Sequence, residues 1–352
     1  MDRNDKITIG LDVGDRTTWL CALDSSGEVV LQDRFRTGEP GLRRTLGKLP
    51  RSCVALEVGR HSPWMSRALT TMGHEVIVAN PRRVRLITST ERKNDRLDAE
   101  KLARLARVDP SLLHPIQHRR ADTSAALATI RSREQVVRAR TRLINSVRAQ
   151  VVAVGGSLPA GKITTFHTQL ELIPEQLRDA LAPMLRMVGA CTEEINAYDR
   201  VLEDMAREVY PETEVLQQIW GVGFLTALTF VLVIEVPERF KKSRDVGAYL
   251  GLVPRQDQSG AVDKQLSITK TGDRLMRKLL VQCAHRVLCE KGPDTDLKRW
   301  GLKLAARGGA SAKKRALVGV ARKLAVLLHR LWVSGEIYEP LRHAERELEL
   351  SA

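Results

Sequence analysis

Four acidic residues stand where oxygen ligands for a hard cation could gather. Asp12 closes the apolar run Ile9-Gly10-Leu11-Asp12-Val13-Gly14, whose glycines let a ligand approach the backbone. Glu57 lies inside Val54-Ala55-Leu56-Glu57-Val58-Gly59. An ionised carboxylate among apolar neighbours is costly unless it is paired or bound to a metal. Asp95 and Asp98 follow in Lys93-Asn94-Asp95-Arg96-Leu97-Asp98-Ala99, and their i, i+3 spacing puts both on one face of an opening helical turn. Mg²⁺ takes oxygen ligands and keeps several waters, and Mn²⁺ accepts the same donors. Two such ions can stabilise both the attacking and the leaving oxygen of a phosphoryl transfer. Each acid also has a plainer role. Asp12 could end a strand, Asp95 could cap a helix with Asp98 favouring its dipole, and Glu57 could pair with Arg60. The ordered set is more specific than any member.

A second group lies in the C-terminal half. Ser259 sits in Tyr249-Leu250-Gly251-Leu252-Val253-Pro254-Arg255-Gln256-Asp257-Gln258-Ser259-Gly260 and is expected in a polar loop, with Lys264, Lys270, Arg274, Arg277 and Lys278 after it. A serine hydroxyl held in line and deprotonated can attack a phosphodiester. Read from its own surroundings alone, Ser259 is a loop serine. Ser243 and Ser267 lie near it in the chain. Ile219-Trp220-Gly221-Val222-Gly223-Phe224 is similar to a helix-hairpin-helix turn, in which Gly221 and Gly223 would present backbone N–H groups to a DNA phosphate. It also reads as a tight turn between packed helices.

The elements that must position these groups are legible in part. Lys6 to about Leu31 reads as three strands, with a turn at Asp24-Ser25-Ser26-Gly27. Cys53–Glu57 and Val76–Ala79 read as further strands, Trp64–Met72 as a helix ending at Gly73, and Asp95–Arg107 as another helix. Together they predict an α/β domain with a mixed sheet. The middle is helical. Thr123–Val154 holds no Gly or Pro. Met184, Val188, Cys191, Ile195, Tyr198, Leu202, Met205 and Val209 alternate steps of four and three behind Pro183, which fits a helix's first turn. That seam predicts either a coiled coil that joins subunits or an amphipathic helix packed inside one subunit. The expected divisions are 1–115, 116–212 and 213–345, with a frayed tail at 346–352 that begins near Glu345.

With 57 Lys and Arg against 42 Asp and Glu, the chain carries a formal charge of +15 and favours a polyanionic partner. Aromatics make up only 4%, which argues against base stacking as the dominant mode. One-sign stretches mark the expected phosphate contacts. Arg119, Arg120, Arg131, Arg133, Arg138, Arg140, Arg142 and Arg148 face only Asp122 and Glu134. From Lys298 to Arg330 there are ten Lys or Arg, among them Lys313, Lys314 and Arg315, and no acid. The five scattered cysteines include no CxxC pair and fit reduced thiols. The start of the chain has no signal-peptide pattern, and the longest apolar run, Phe224–Ile234, is too short to span a bilayer. No membrane partner is expected.

Taken in order, GLDVGDRTT, ALEVGR, KNDRLDAEKLARL, IWGVGFLTA and YLGLVPRQDQSG resemble the DEDD transposases of bacterial insertion-sequence family 110, which include the Piv-type DNA invertases. The resemblance spans about Lys6 to about Leu341. It implies a RuvC-like (ribonuclease-H-like) N-terminal domain, a helical coiled-coil linker and a mostly helical C-terminal transposase domain. By motif, Asp12, Glu57, Asp95 and Asp98 would be the metal ligands, for Mg²⁺ or Mn²⁺. Ser259 would be the nucleophile, forming a phosphoserine link to DNA. The partners it implies are donor and target DNA, a bridge (guide) RNA, and further copies of the chain in a dimer or tetramer. In such an assembly the carboxylates of one subunit face the serine of another. The implied setting is the nucleoid in a bacterial cytoplasm.

Three other readings compete, one of them a non-catalytic nucleic-acid-binding protein, against which the four intact acidic positions argue. A RuvC-type hydrolytic nuclease would use the same carboxylates with water as the nucleophile. Asp12-Val13-Gly14 followed by Thr17-Thr18 resembles the first phosphate loop of actin-like ATPases, though no second Asp-Gly phosphate loop follows and the positive charge is unusual for that class.

Overall fold

The computed structural model describes residues 7–80, 94–259, 262–309 and 311–342, with side chains left undescribed between 257 and 265. The expected tail from Glu345 lies outside the described residues, as does Lys93 of the second acidic motif. The chain forms two compact units, residues 1–120 and 121–352.

The first unit is built on a five-stranded sheet of order β3-β2-β1-β4-β5. Its strands are β1 (Thr8–Val13), β2 (Thr17–Leu23), β3 (Val29–Arg36), β4 (Cys53–Glu57) and β5 (Glu75–Ala79). β1 runs antiparallel to β2 and parallel to β4, and β4 runs parallel to β5. Strand alternation sorts the side chains between two faces. Ile9, Leu11, Leu20, Val54 and Leu56 pack on one face with Leu42 and Leu46 of α1 (Glu39–Leu46) and Met65 and Leu69 of α2 (Ser62–Thr71). α1 goes unmarked in the sequence reading, because its eight residues are mostly polar and only Leu42 and Leu46 are buried. The other face carries α3 (Asp95–Val108). Its Ala99 and Ala103 meet Cys21 and Leu23, and its Leu102 and Ala106 meet Ala55, Ile77 and Ala79.

Gly10 is why α3 can lie so close. A Cβ there would stand 2.6 Å from the Ala103 nitrogen and nearer still to the Ala99 carbonyl. Gly10→Ala must therefore lift the helix off the sheet. We expect a loss of about 3 kcal/mol or more, at the upper end for overpacking, read as a lower midpoint in urea unfolding.

The second unit begins with an antiparallel helical hairpin, α4 (Ala121–Ala153) and α5 (Glu175–Glu208). At the far end Ile144, Val147 and Val151 pack on Leu181, Leu185 and Val188. At the near end Ala126, Leu127 and Ile130 join Leu202 and Ala206 in the main core. So α5 turns Val188, Ile195 and Leu202 of the expected seam inward, onto α4 of the same chain. Pro183 lies inside α5 and not in its first turn, a correction to the sequence reading. Pro cannot donate to the carbonyl four residues back. That carbonyl belongs to Asp179, and both residues are exposed, so water can take the lost bond.

The remaining helices are α6 (Glu212–Gln217), α7 (Phe224–Ile234), α8 (Asp245–Tyr249), α9 (Arg274–Val287), α10 (Asp296–Ala305) and α11 (Ala312–Ser334). Apolar α7 is buried along nearly its whole length at the centre of this core, as its composition predicts. Between α8 and α9 stands a two-stranded antiparallel ribbon, β6 (Pro254–Ser259) and β7 (Val262–Ile268). Among the described residues, no helix is long and apolar enough to cross a membrane.

Candidate functional site

Asp12 and Glu57 each stand one residue beyond Leu11 and Leu56, the last paired residues of adjacent parallel strands β1 and β4. In-register neighbours on a sheet share a face. Gly10 and Ala55, two residues earlier, face α3, so Asp12 and Glu57 do as well. Both are half-buried. α3 runs antiparallel to β1. Near its C-terminal end, Arg104 and Arg107 donate to the Gly27 and Ser25 carbonyls of the β2–β3 turn, at 3.3 and 2.7 Å. That turn adjoins the start of β1, since Leu23 pairs with Thr8. The N-terminal turn of α3 therefore sits at the end of the sheet where β1 and β4 finish. Asp95 and Asp98 lie on the stripe that continues to Leu102 and Ala106, which faces the sheet. The four acids thus share one face and one end of the sheet.

Local bonds fix the helix start. Asn94 is the cap, accepting from the Arg96 N–H at 3.1 Å, so Asp95 is the first helical residue and not the cap. Asp98 is half-buried and takes a bond from Lys101 Nζ at 3.0 Å. Arg60, considered above as a partner for Glu57, reaches Asp15 at 3.6 Å. Among the described residues no three His, Cys, Asp or Glu side chains are drawn together as a ready metal group. The donor chemistry and the shared placement fit a hard cation, and Lys101 is a cation already seated on one of the acids. Thr18, considered above as part of a nucleotide-phosphate loop, is buried on the opposite face and bonded to Thr37 Oγ1 at 2.8 Å.

Ser259 belongs to the second unit. It is the last residue of β6, paired with Val262, and so ends a strand where a loop was expected. The ribbon went unread because PRQDQS has no apolar residue after its proline and Lys264 interrupts the alternation of Val262, Leu266 and Ile268 in VDKQLSI. Its base is clamped. A Cβ on Gly251 (φ +69°) would come within 2.8 Å of the Lys270 carbonyl carbon and closer to Thr271, so the two arms cross where only glycine fits. Arg277 braces the crossing by donating to the carbonyls of Leu250 (3.2 Å) and Thr271. Sequence reasoning listed Arg277 only as one base among several. Of the neighbouring serines, Ser267 bonds Arg255 (3.4 Å), and Ser243 bonds buried His329 at 3.0 Å. The other ring nitrogen of His329, Nε2, donates to the Pro237 carbonyl at 2.9 Å, since a carbonyl can only accept.

The basic positions divide. Arg131 pairs with Asp273 (3.3 Å), the cap of α9, and Arg138 with Glu134 (2.8 Å), which also holds Lys278 (2.8 Å). With Arg274, exposed at the start of α9, these gather cations where α4 meets α9, and Arg142 extends the exposed line one turn along α4. Lys270 is exposed and left-handed (φ 56°) at the foot of the ribbon. Lys313, Lys314 and Arg315 are exposed in the first turn of α11, where no acid offsets them. Gly221 (φ +90°) and exposed Gly223 form the turn before α7, and Gly223 is its cap. Three arginines of the one-sign stretch are structural instead. Arg133 bonds Asp199 (2.9 Å), Arg140 bonds Thr192 (3.2 Å), and Arg148 covers the Phe166 ring at 5.3 Å.

Glu134 anchors the cation cluster. Burial alone would raise its pKa, but the bonds from Lys278 and Arg138 outweigh burial and leave it lowered. A lowered folded pKa means stability that is present above the unfolded carboxylate pKa and is lost as pH falls through the folded one. Glu134→Gln should cost about 1–2 kcal/mol at neutral pH, since both cations are partly exposed. The gap should close in acid, and melts from neutral to acid pH check both.

Comparison with known proteins gives the family. Residues 9–154 match a DEDD transposase model of the IS110 type, and residues 213–298 match the transposase model of the IS116/IS110/IS902 family. The chain is 31% identical over 282 residues to the transposase for insertion sequence element IS1328 of Yersinia enterocolitica, covering 79% of this chain and 82% of that one. It is 29% identical over 340 residues to the transposase for IS1111A of Coxiella burnetii, covering 94% and 90%. The chain therefore belongs to the IS110-type insertion-sequence transposases and is a DNA transposase.

Proposed function

We propose that this transposase exchanges DNA strands through Ser259, with Asp12, Glu57, Asp95 and Asp98 holding Mg²⁺ or Mn²⁺ on a ribonuclease-H-like sheet. The observation that carries the reading is the placement of four acids on elements that share one end of one sheet face. The strand order, with one antiparallel hairpin beside three parallel strands, supports the ribonuclease-H-like assignment. When bound, the cation would neutralise charge on the reacting phosphate and lower the pKa of an attacking hydroxyl. The carboxylates would hold the ion, and Asp98 would release its bond to Lys101 to do so.

Ser259 gives up its hydroxyl proton and bonds to phosphorus. The phosphorus–oxygen bond to the departing strand breaks, and that strand's sugar oxygen takes a proton. The phosphoserine ester keeps the bond energy for rejoining when a strand hydroxyl attacks it and frees the serine. Arg131, Arg138, Arg142, Lys270, Arg274 and the Lys313–Arg315 turn contact phosphates, and Gly221 and Gly223 offer backbone donors.

The partners are donor and target DNA and a guide RNA, with the chain acting as a dimer or tetramer at the bacterial nucleoid. Met187 and Val201, more than half exposed on α5, are two heptads apart and support association. A recombination assay tests the reading. Donor, target, guide RNA and Mg²⁺ should all be required, and changing the pairing segment of the RNA should move the insertion site. Recombination unaltered without RNA would remove the guided part of the proposal.

A further inference from the structure

A row of side chains crosses the sheet from the acids to its outer edge. Asp12 pairs with Trp19 on β2, and Trp19 pairs with Arg34 on β3. Glu57 extends the row on the other side, one residue past the last β1–β4 pair. Gln32, two residues before Arg34, bonds Glu100 of α3 at 3.4 Å, so this part of β3 shares the face that carries α3. Arg36, two residues further, is on that face as well. α3 covers the row's neighbours Gly10 and Cys21 but leaves its end open, where Arg34 and Arg36 are exposed and Trp19 is half-buried.

The chemistry of this strip is uneven. The Arg34 guanidinium lies over the Trp19 ring, 5.7 Å from its centroid, which steadies the head while leaving its N–H donors open. Arg16, Arg34 and Arg36 form no salt bridge among the described residues, whereas the nearby acids are engaged. Asp15 is held by Arg60 and His61, at 3.6 and 3.3 Å, and Glu39 by Arg43 at 2.8 Å. A cavity of about 660 Å³ opens here, lined by Arg16, Thr17, Arg34, Arg36 and Thr37 among others. Guanidinium forks match phosphate oxygens, and an indole face accepts a base or a sugar.

We propose that Trp19, Arg34 and Arg36 form a docking strip for the DNA strand that continues from the phosphate held at Asp12 and Glu57. The inference rests on the reading of those two acids as the reacting centre. From Asp12 to Arg34 is two strand spacings, roughly 10 Å, the length of about three nucleotides at 3.4 Å rise. Arg34 and Arg36 neutralise phosphates on the flank, and the nucleotide between them and the acids packs against the open part of the Trp19 ring beside Arg34. An acidic peptide fits this strip less well, since its carboxylates offer no base or sugar face to the Trp19 ring.

The test is DNA binding by the full-length chain in EDTA, which keeps it apart from strand chemistry. Anisotropy of a labelled single-stranded oligonucleotide is followed over a salt titration. Arg34→Gln with Arg36→Gln should reduce the slope of log affinity against log salt by about 1.4, at 0.7 per lost phosphate contact. Arg34→Lys with Arg36→Lys should restore it. Trp19→Ala should weaken binding about tenfold with the slope unchanged. Trp19→Phe, which keeps a ring, guards against a folding defect and should lose far less. A wild-type slope and affinity in the Gln pair would overturn the strip even if Ser259 forms its adduct. A reduced slope in a protein that forms no adduct would leave the strip standing and remove the serine mechanism alone.

Discussion

Ser259→Ala should lower strand joining by about 10³-fold or more while DNA and RNA binding stay within a few-fold of wild type. Removing a nucleophile takes away the bond-forming atom itself, so the loss is set by the slow uncatalysed alternative. Binding survives because most of the cations that would contact phosphate lie on α4, α9, α11 and β3, away from the ribbon tip that carries the serine. Gly251→Ala separates position from chemistry. The serine remains, but the crossing at the ribbon's foot is forced apart, so joining should fall about tenfold to a hundredfold, consistent with the cost of small misplacements of reacting groups. Single-turnover joining rates at saturating DNA measure both variants. If Ser259→Ala still joins strands, the serine assignment is wrong.

Asp12→Asn should produce a comparable loss of joining for a different reason. Asn keeps the shape but is a neutral and much weaker ligand for a hard cation. A second readout separates this from a folding defect. A ligand that binds only the folded state raises its stability in proportion to the logarithm of its concentration over Kd. Mg²⁺ should therefore raise the melting temperature of the wild type, and the rise should shrink or vanish in Asp12→Asn. In EDTA the two proteins should melt within a few degrees of each other, because the change removes one of four like charges at the end of the sheet. An undiminished Mg²⁺ shift in Asp12→Asn would place the cation elsewhere.

Much of the first unit was legible in the chain. Ile9 and Leu11 alternate with Gly10 and Asp12, and that period of two assigns both the strand and the face of the acid. The placement of Asp95 and Asp98 followed from helical spacing. What could not be read was the rank of the strands, and with it the row from Glu57 through Asp12 and Trp19 to Arg34. That row depends on long-range pairing that no local pattern encodes. α1 was missed for want of apolar residues. Pro183 misled in α5 because its exposed site lets water replace the lost backbone bond.

The second unit was less legible at its site than in its core. The apolar run of α7 announced itself, but β6 has no apolar residue after Pro254, so a strand end read as a loop. Charge counting also overstated the phosphate surface. Arg133, Arg140 and Arg148 look identical in sequence to Arg131 and Arg138, yet they are spent on Asp199, Thr192 and Phe166 inside the hairpin and its connection. The expected heptad seam was real as a periodicity. The structure uses Val188, Ile195 and Leu202 within one chain.

The central claim is that DNA becomes covalently attached to Ser259. Its most direct test is to quench a reaction of protein, guide RNA, Mg²⁺ and labelled donor and target DNA in denaturant. The adduct is then resolved on a gel, and the modified peptide is mapped by mass spectrometry. The account predicts a protein–DNA adduct whose phosphate sits on Ser259 and which disappears in Ser259→Ala. Metal-dependent cleavage with no adduct would contradict it and make the chain's chemistry hydrolytic, with water in the place of the serine.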